Sequence, residues 1–327
     1  MPDGERVKNQ HIDQYLGKFK GLQYKKVDTE NWKRRLAPLF FSILFHSFFC
    51  ERIVLSVCSQ SAFFLLWFFS IFGLQKKVCY FVIGGSLLTL IEEGKVNPRI
   101  YKKILRIFVE TKRMKAGLAQ LGLKNVEVVP NFKFFPKQDP WVPKKPSLPL
   151  RTFYLGRIEP RKGIDLIFKV LSEKNVEEKL VYVDFFGPVQ EDYESTFLAK
   201  VSRFSETQYR GVLDFSNDPY AYQLLAGYDL FLFPTFYPGE GFPGAVLDSF
   251  FSGVPVLASD WNFNQEVIQD GKNGLIFPAK NQQAFSDTMQ KILQNPSILV
   301  EMSKEAWLVA QDYRSEKVLQ VLDNFLL

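Results

Sequence analysis

The sequence predicts an α/β protein with two doubly wound domains, and three observations support this prediction. Apolar runs alternate with helical patterns along the chain, as in βαβ units that build parallel sheets. A length of 327 residues suits two domains that each bury a core of their own. Between the two halves, residues 135–150 contain five prolines, at 136, 140, 143, 146 and 149. Because this spacing sustains neither a helix nor a central strand, the segment is predicted to be an inter-domain linker.

The first half of the chain, residues 1–140, is predicted to form an N-terminal Rossmann-like domain. Residues 53–74 are apolar enough to suggest a membrane span. Three serines and Gln60 interrupt the run, however, which favours a buried strand followed by a helix. We predict helices at 7–19, 31–49 and 62–74, and strands at 23–27, 52–57, 78–83 and 126–129.

The second half, residues 141–311, is predicted to form a C-terminal Rossmann-like domain. Short apolar strands and amphipathic helices alternate here more regularly than in the first half, as expected of a parallel sheet covered on both faces. We predict strands at 151–155, 180–186, 209–212, 229–233 and 254–258. Helices are predicted at 164–172, 192–204, 218–225, 244–251, 282–293 and 296–310.

The composition limits the class of partner and the compartment. The net charge is +6, which favours anionic partners such as nucleotide diphosphates, lipid phosphates or an acidic membrane surface. The basic residues are spread along the chain without a nucleic-acid motif, so no nucleic acid is expected as a partner. Cys50, Cys58 and Cys79 lie in apolar runs and indicate free thiols in a reducing compartment. We expect no signal peptide, because the N-terminus is polar, and no metal, because no Cys or His spacing suggests ligands.

Two short motifs carry the chemistry. Residues 240–248 read Glu-Gly-Phe-Pro-Gly-Ala-Val-Leu-Asp and place carboxylates at Glu240 and Asp248, on either side of a turn that opens a helix. Residues 156–163 read Gly-Arg-Ile-Glu-Pro-Arg-Lys-Gly and follow a predicted strand. A loop in that position lies at the ligand crevice of a parallel sheet. Carboxylates that bind sugar hydroxyls and cations that bind a diphosphate are what a nucleotide-sugar transferase needs.

The two motifs, in this order and at about this separation, resemble the C-terminal domain of family 4 glycosyltransferases. Four further segments resemble the same family, at 126–132, 228–234, 252–258 and 273–278. The resemblance implies a GT-B fold, in which two Rossmann-like domains have parallel sheets facing a central cleft. It also implies a sugar nucleotide donor and a final helix, 312–327, that packs back on the N-terminal domain.

The resemblance implies roles for residues around the donor. Arg157 and Lys162 would contact the diphosphate, where cations stabilise the charge that accumulates as the glycosidic bond breaks. Glu240 would contact the sugar hydroxyls and Asp248 the ribose hydroxyls, although the family usually has Glu at the second position. The helix after Pro243 would direct free N–H groups at the phosphates. The catalytic set is Arg157, Lys162 and Glu240, and the donor-binding set adds Gly241, Phe242, Gly244 and Asp248.

The acceptor side is expected in the N-terminal domain. A glycine pair after the predicted strand 78–83 permits close approach of a ligand, and a segment near the N-terminus resembles the family's first loop, which closes over donor and acceptor. Many family members have a histidine in this domain, but His11 and His46 both lie in helical contexts. The acceptor or phosphate set is therefore Gly4, Glu5, Arg6, Lys8, Gly84, Gly85 and Ser86.

The N-terminal segment also departs from the family pattern. No apolar strand precedes residues 2–8, whereas the first strand of a doubly wound domain normally lies centrally in its sheet. We therefore predict that the first strand is missing and that the N-terminal sheet has a gap, or two neighbours with unpaired backbone groups.

The resemblance implies a retaining, metal-independent hexosyltransferase that needs no cofactor. It would transfer a sugar from a UDP-hexose to a lipid-linked or saccharide acceptor, in the synthesis of a bacterial capsule or exopolysaccharide. The basic charge and the 33 phenylalanines predict a cytoplasmic protein, peripheral on the inner face of the cell membrane. The alternative is a non-catalytic or truncated family member that binds sugar nucleotide or partners another transferase. An epimerase or other Rossmann oxidoreductase is disfavoured, because no GxGxxG follows a strand.

Overall fold

The computed structural model describes residues 4–18, 22–27, 36–135, 141–215, 218 and 220–323. Contacts divide the chain into two compact units. The C-terminal unit comprises Asn131–Lys317, and the N-terminal unit comprises Pro2–Pro130 together with Val318–Leu327. The start of the predicted helix 31–49 and residues 136–140 of the predicted linker lie outside the described residues.

The N-terminal unit is built on a parallel sheet of four strands in the order β1-β2-β3-β4. The first five residues of β2 are buried, as expected of a strand covered on both faces. The strands are β1 (Ile53–Cys58), β2 (Val78–Ile83), β3 (Arg106–Val109) and β4 (Val126–Val128). The helices are α1 (Gly4–Leu16), α2 (Leu36–Phe49), α3 (Ser59–Ile71), α4 (Ser86–Glu92), α5 (Pro98–Tyr101) and α6 (Lys112–Gln120).

The apolar region 53–74 forms strand β1 followed by helix α3, as the sequence predicts. Among the described residues, no helix is both long enough and apolar enough to cross a membrane.

Two predictions for the N-terminus are wrong. Residues 4–8, predicted as a loop, lie inside helix α1. The reason is a buried stripe at helical spacing, formed by Lys8, His11, Ile12, Tyr15 and Leu16. Residues 22–27 form no strand. The hydroxyl of Tyr24 and the ammonium of Lys26 bond instead to the carboxylate of Asp13 on α1.

The predicted gap in the N-terminal sheet is not found among the described residues. Strands that follow each other along the chain are also neighbours in the sheet, and each pair is joined in continuous parallel register. Helix α1 lies against β1, where the Asn9 amide donates to the Ser56 carbonyl at 3.2 Å.

The C-terminal unit contains a parallel sheet of six strands in the order β10-β9-β8-β5-β6-β7. The strands are β5 (Leu150–Leu155), β6 (Val181–Phe186), β7 (Thr207–Tyr209), β8 (Leu230–Phe233), β9 (Val256–Ser259) and β10 (Gly274–Phe277). The helices are α7 (Ile164–Lys174), α8 (Glu194–Arg203), α9 (Ala221–Ala226), α10 (Gly244–Phe251), α11 (Gln282–Gln294) and α12 (Ile298–Ala310). The single helix predicted over 312–327 is not continuous within the described residues. A 3₁₀ turn at Gln311–Tyr313 is followed by α13 (Ser315–Val318) and a second 3₁₀ turn at Leu319–Leu322.

The strand order creates a switch point between β5 and β8. The chain runs outward from β5 through β6 to β7, then returns to the other side of β5 and runs outward again from β8 to β10. Ligands of open α/β sheets bind outside the carboxyl ends of the strands at such a point. The loops after β5 and β8, which carry the two sequence motifs, therefore meet there.

Two apolar clusters hold the helices on the sheet of this unit. One contains Ile164, Ile167 and Leu171 of α7 with Phe285 and Met289 of α11. The other contains Val246, Leu247, Phe250 and Phe251 of α10 with Ala306 of α12. Both clusters contain residues of β5 and β8. The loops after these two strands therefore extend from the most enclosed part of the sheet.

Candidate active site

The loop after β5 carries Arg157 and Lys162. The Tyr154 hydroxyl donates to the Arg157 carbonyl at 2.7 Å and fixes the start of the loop. At its end, Gly163 has a φ of +78°. A Cβ on Gly163 would lie 2.2 Å from the carbonyl oxygen of Pro234, in the loop after β8. Only glycine therefore permits the two loops to pack this closely.

This close packing joins Lys162 and Glu240. The Lys162 ammonium lies 2.5 Å from Oε2 of Glu240, and each side chain is 13% exposed. The buried Thr235 hydroxyl donates to the same oxygen at 2.9 Å. Oε1 of Glu240 has no hydrogen-bond partner within the described ranges. The carboxylate is thus held through one oxygen, and the other is left for a ligand hydroxyl.

Arg157 and Arg161 are the exposed cations of the same loop. Their side chains are 57% and 55% exposed, and the buried Glu159 carboxylate lies between them. Nη1 of Arg157 is 3.9 Å from Glu159, whereas Nε of Arg161 is 3.2 Å away. The Arg161 guanidinium also lies over the Tyr237 ring, at 4.9 Å. Arg157 is therefore the less constrained of the two and the better placed to bind a phosphate oxygen.

Asp248 lies on α10 as predicted, but its carboxylate is enclosed by protein. The residue is 4% exposed. Oδ2 lies 2.7 Å from the Lys133 ammonium, and the Tyr222 hydroxyl donates to Oδ1 at 3.1 Å. Burial raises the pKa of the Asp248 carboxyl, and the neighbouring Lys133 partly offsets that rise. Both oxygens therefore have protein partners in an enclosed position, and the predicted ribose contact through Asp248 stays a prediction.

Three further residues of the 240–248 motif were predicted to bind the donor, namely Gly241, Phe242 and Gly244. Phe242 is 7% exposed, and its ring packs 5.4 Å from that of Tyr313. Its side chain therefore belongs to the core and is withdrawn from a donor. Gly241 precedes it in the loop, and Gly244 is the first residue of α10.

The residues predicted for the acceptor side lie in the N-terminal unit. Lys8 is buried and pairs with Glu110 at 2.9 Å, so its ammonium is part of an interior ion pair and not of a phosphate loop. Gly4, Glu5 and Arg6 belong to the same helix. Residues 84–86 follow β2, and Gly84 has a φ of +76°. The Ser86 hydroxyl donates to the Ser59 hydroxyl at 3.4 Å. The predicted ligand role of residues 84–86 stays a prediction.

The arrangement supplies cations from the protein itself. Arg157 and Lys162 both lie in the loop after β5. In the part of the chain that the structure describes, no group of three or more His, Cys, Asp or Glu side chains could hold a metal ion.

Two residues near these motifs were not predicted from the sequence. Thr235 lies just after β8, and its position at the carboxyl end of a central strand could have indicated it. Lys133 reaches Asp248 across 115 positions of sequence, and no local pattern signals that contact.

Comparison with known proteins identifies the same region. The sequence profile of the glycosyl transferases group 1 family matches residues 137–307. The chain is 26% identical over 186 residues to the GtfA subunit of the UDP-N-acetylglucosamine–peptide N-acetylglucosaminyltransferase of Streptococcus gordonii. That match covers 54% of this chain and 35% of the relative. It is 25% identical over 222 residues to the phosphatidyl-myo-inositol mannosyltransferase of Mycobacterium leprae, covering 64% of this chain and 55% of the relative. The chain thus spans about half or less of the length of these curated relatives.

Solved structures share the fold. Anabaena HepE, solved in complex with UDP and glucose, has a TM-score of 0.67 at 15% identity, covering 89% of this chain and 82% of that chain. The sucrose-phosphate synthase of Thermosynechococcus elongatus has a TM-score of 0.66 at 15% identity, and the match covers 93% of this chain and 80% of that chain. At this level of identity the likeness concerns the fold, and it confirms the predicted α/β architecture of the GT-B type.

Proposed function

The chain belongs to the glycosyl transferases group 1 family, and from this premise we propose that it transfers a hexose from a UDP-sugar. The observation that carries the proposal is the Lys162–Glu240 pair, joined at 2.5 Å between the loops after β5 and β8. The pair supports the proposal because a cation suited to a diphosphate lies next to a carboxylate suited to sugar hydroxyls. UDP as the nucleotide is supported by the related fold of HepE, which was solved with UDP.

We propose that the chain is a family 4 glycosyltransferase. Its transfer reaction retains the anomeric configuration and needs no metal. Arg157 and Lys162 supply the positive charge that stabilises the departing diphosphate. Glu240 is bonded through Oε2 to Lys162 and Thr235, so it serves as an orienting acceptor for sugar hydroxyls. The acceptor hydroxyl attacks from the face that the leaving diphosphate occupies, and a phosphate oxygen takes its proton.

A donor-hydrolysis assay tests this function and separates it from a non-catalytic sugar-nucleotide binder. The full chain is incubated without acceptor and with UDP-glucose, UDP-galactose or UDP-N-acetylglucosamine, and release of UDP is measured. We expect slow release from at least one donor, and Lys162→Ala should abolish it. Thermal stabilisation by a donor without UDP release, with or without saccharide acceptors, would instead identify the non-catalytic member.

We further propose that the acceptor is lipid-linked and that the enzyme takes part in surface polysaccharide synthesis at the inner face of the cell membrane. Helices α2 and α3 would bind that membrane. Neither helix contains Asp, Glu, Lys or Arg. They contact each other through aromatic rings, with the Phe40 and Phe68 centroids 4.9 Å apart. Outside this contact, large apolar side chains are exposed at helical spacing. On α2 they are Phe41 at 66%, Phe45 at 61% and Phe49 at 77%, and on α3 they are Phe64 at 69%, Trp67 at 56% and Ile71 at 59%.

Several exposed large apolar side chains on two adjoining helices indicate an interaction surface, and aromatic side chains on uncharged helices suit the lipid interface. The exposed basic residue Lys76, next to α3, favours anionic lipid.

Co-sedimentation with vesicles tests this membrane surface. We expect the full chain to bind vesicles rich in phosphatidylglycerol, and more weakly at high salt because part of the attraction is electrostatic. The triple variant Phe41→Ser, Phe45→Ser, Phe49→Ser should lose most of this binding. A matched control replaces three exposed leucines of the C-terminal unit, Leu198, Leu224 and Leu308, with serine and should bind as the unmodified chain does. Failure of the unmodified chain to bind any vesicle would contradict the proposal.

A further inference from the structure

The enclosure of Asp248 raises the question of which group receives the ribose of the donor. Its two carboxylate oxygens accept from Lys133 and Tyr222, and the residue is 4% exposed. Tyr222 is itself buried, at 5% exposure. A ribose hydroxyl that bonds to this enclosed carboxylate would compete with partners that include a buried ion pair, whose separation is costly.

Lys133 is the least enclosed member of this cluster. Its side chain is 14% exposed, against 6% for that of Asp248. An ammonium has three N–H donors, and in the described part of the chain the Lys133 ammonium forms a hydrogen bond only with Asp248. Two donors therefore remain for a ligand.

The position of Lys133 is fixed from both its main chain and its side chain. Its N–H donates to the Tyr313 carbonyl at 3.0 Å, and its own carbonyl accepts from Ser315 at 2.9 Å. Asp248 then orients the ammonium at 2.7 Å. A rigid backbone and a buried counter-ion are what hold a long side chain in one geometry.

The Lys133 ammonium lies beside the first residue of α10. A Cβ on Gly244 would come within 3.8 Å of Nζ of Lys133 and within 3.3 Å of Nδ2 of Asn131. The absence of a side chain at Gly244 leaves room for both groups. Together they place hydrogen-bond donors at the helix N-terminus, where the backbone also offers N–H groups. A group of donors of this kind suits the oxygen atoms of a ligand.

We propose that Lys133, oriented by Asp248, donates a hydrogen bond to a ribose hydroxyl oxygen of the nucleotide donor. Asp248 is then a positioning residue. In the ribose contact the Lys133 ammonium donates and the sugar oxygen accepts. The inference rests on the proposed function, since it requires a nucleotide at this site.

The test compares UDP with 2′,3′-dideoxy-UDP by isothermal titration on the full chain. We expect the unmodified chain to bind UDP about tenfold more tightly than 2′,3′-dideoxy-UDP, which is the effect of one ligand hydrogen bond to a charged group. Lys133→Met should bind both nucleotides equally and at the weaker level, whereas Lys133→Arg should keep a preference for UDP. Lys291→Met, an exposed lysine on α11, controls for loss of one positive charge and should match the unmodified chain.

The other outcomes overturn the proposal. A preference for UDP that persists or grows in Lys133→Met would show that the released Asp248 carboxylate binds ribose. Equal weakening of both nucleotides would assign Lys133 to a phosphate or to structure. If Lys133→Met folds poorly, the double variant Lys133→Met, Asp248→Asn removes both charges and should also bind the two nucleotides equally. If the unmodified chain binds no UDP, the proposed function itself fails, and this result is distinct from loss of ribose discrimination.

Discussion

Replacing Lys162 or Glu240 with alanine should lower sugar transfer about 100-fold or more, which corresponds to roughly 3 kcal/mol of transition-state stabilisation. In the proposed function, Lys162 provides charge at the departing diphosphate and Glu240 orients the sugar through Oε1. Each side chain also fixes the other, since Nζ and Oε2 are 2.5 Å apart. The double variant should therefore be little worse than either single variant. The measurement is the rate of UDP release with donor and acceptor at saturation.

Lys169→Ala on α7 and Glu194→Ala on α8 are matched controls for loss of charge. Both residues are exposed, and both variants should keep full activity. Melting temperatures of all four single variants should show that the proteins are folded. Transfer within threefold of the unmodified rate in Lys162→Ala or Glu240→Ala would contradict the assignment of these residues.

Gly163→Ala should lower the melting temperature by about 10 °C, because it combines a left-handed backbone conformation with a clash, together worth about 3 kcal/mol or more. The φ of Gly163 is +78°, and its Cβ would lie 2.2 Å from the Pro234 carbonyl oxygen. Relief of the clash must separate the loops after β5 and β8. Since Lys162 is the preceding residue, UDP binding should weaken as well.

Gly271→Ala separates the two contributions to this effect. Gly271 has a similar φ of +75°, but nothing lies within 4 Å of its added Cβ. This variant should show only the cost of the backbone conformation, about 1 kcal/mol and a few degrees of melting temperature. Equal melting temperatures for the two variants would show that the loops do not depend on the close contact at Gly163.

Most elements of the C-terminal unit could be predicted from the sequence, because local patterns determine them. Strand β10 (Gly274–Phe277) was not predicted, and β7 (Thr207–Tyr209) begins two residues before its predicted start. Helix α10 begins at Gly244 and ends at Phe251, as predicted, since Pro243 suits a helix start and Gly253 follows the last turn. Strand β6 is bounded by polar residues and Gly187, and its observed start at Val181 differs from the prediction by one residue. The proximity of the two motifs also followed from the sequence, because parallel strands end at one edge of a sheet.

The remaining features depend on contacts that no local pattern records. Residues 4–8 were interpreted as a loop by resemblance, yet Lys8 is held in the helix by Glu110, 102 positions away. Residues 22–27 have some strand character but bond to Asp13 of α1. The enclosure of Asp248 requires Lys133 and Tyr222, which lie in separate segments of the chain. Where a local sequence pattern is compatible with two structures, long-range contacts of this kind decide which one forms.

Isothermal titration of the full chain with UDP and UMP tests the central claim most directly, that the loops after β5 and β8 form a nucleotide-diphosphate site. We predict that UDP binds at least about tenfold more tightly than UMP, because Arg157 and Lys162 meet the second phosphate. Lys162→Ala should remove most of that difference, and Lys169→Ala should preserve it. Equal affinity of the unmodified chain for UDP and UMP, or a preference for UDP unchanged in Lys162→Ala, would contradict the account.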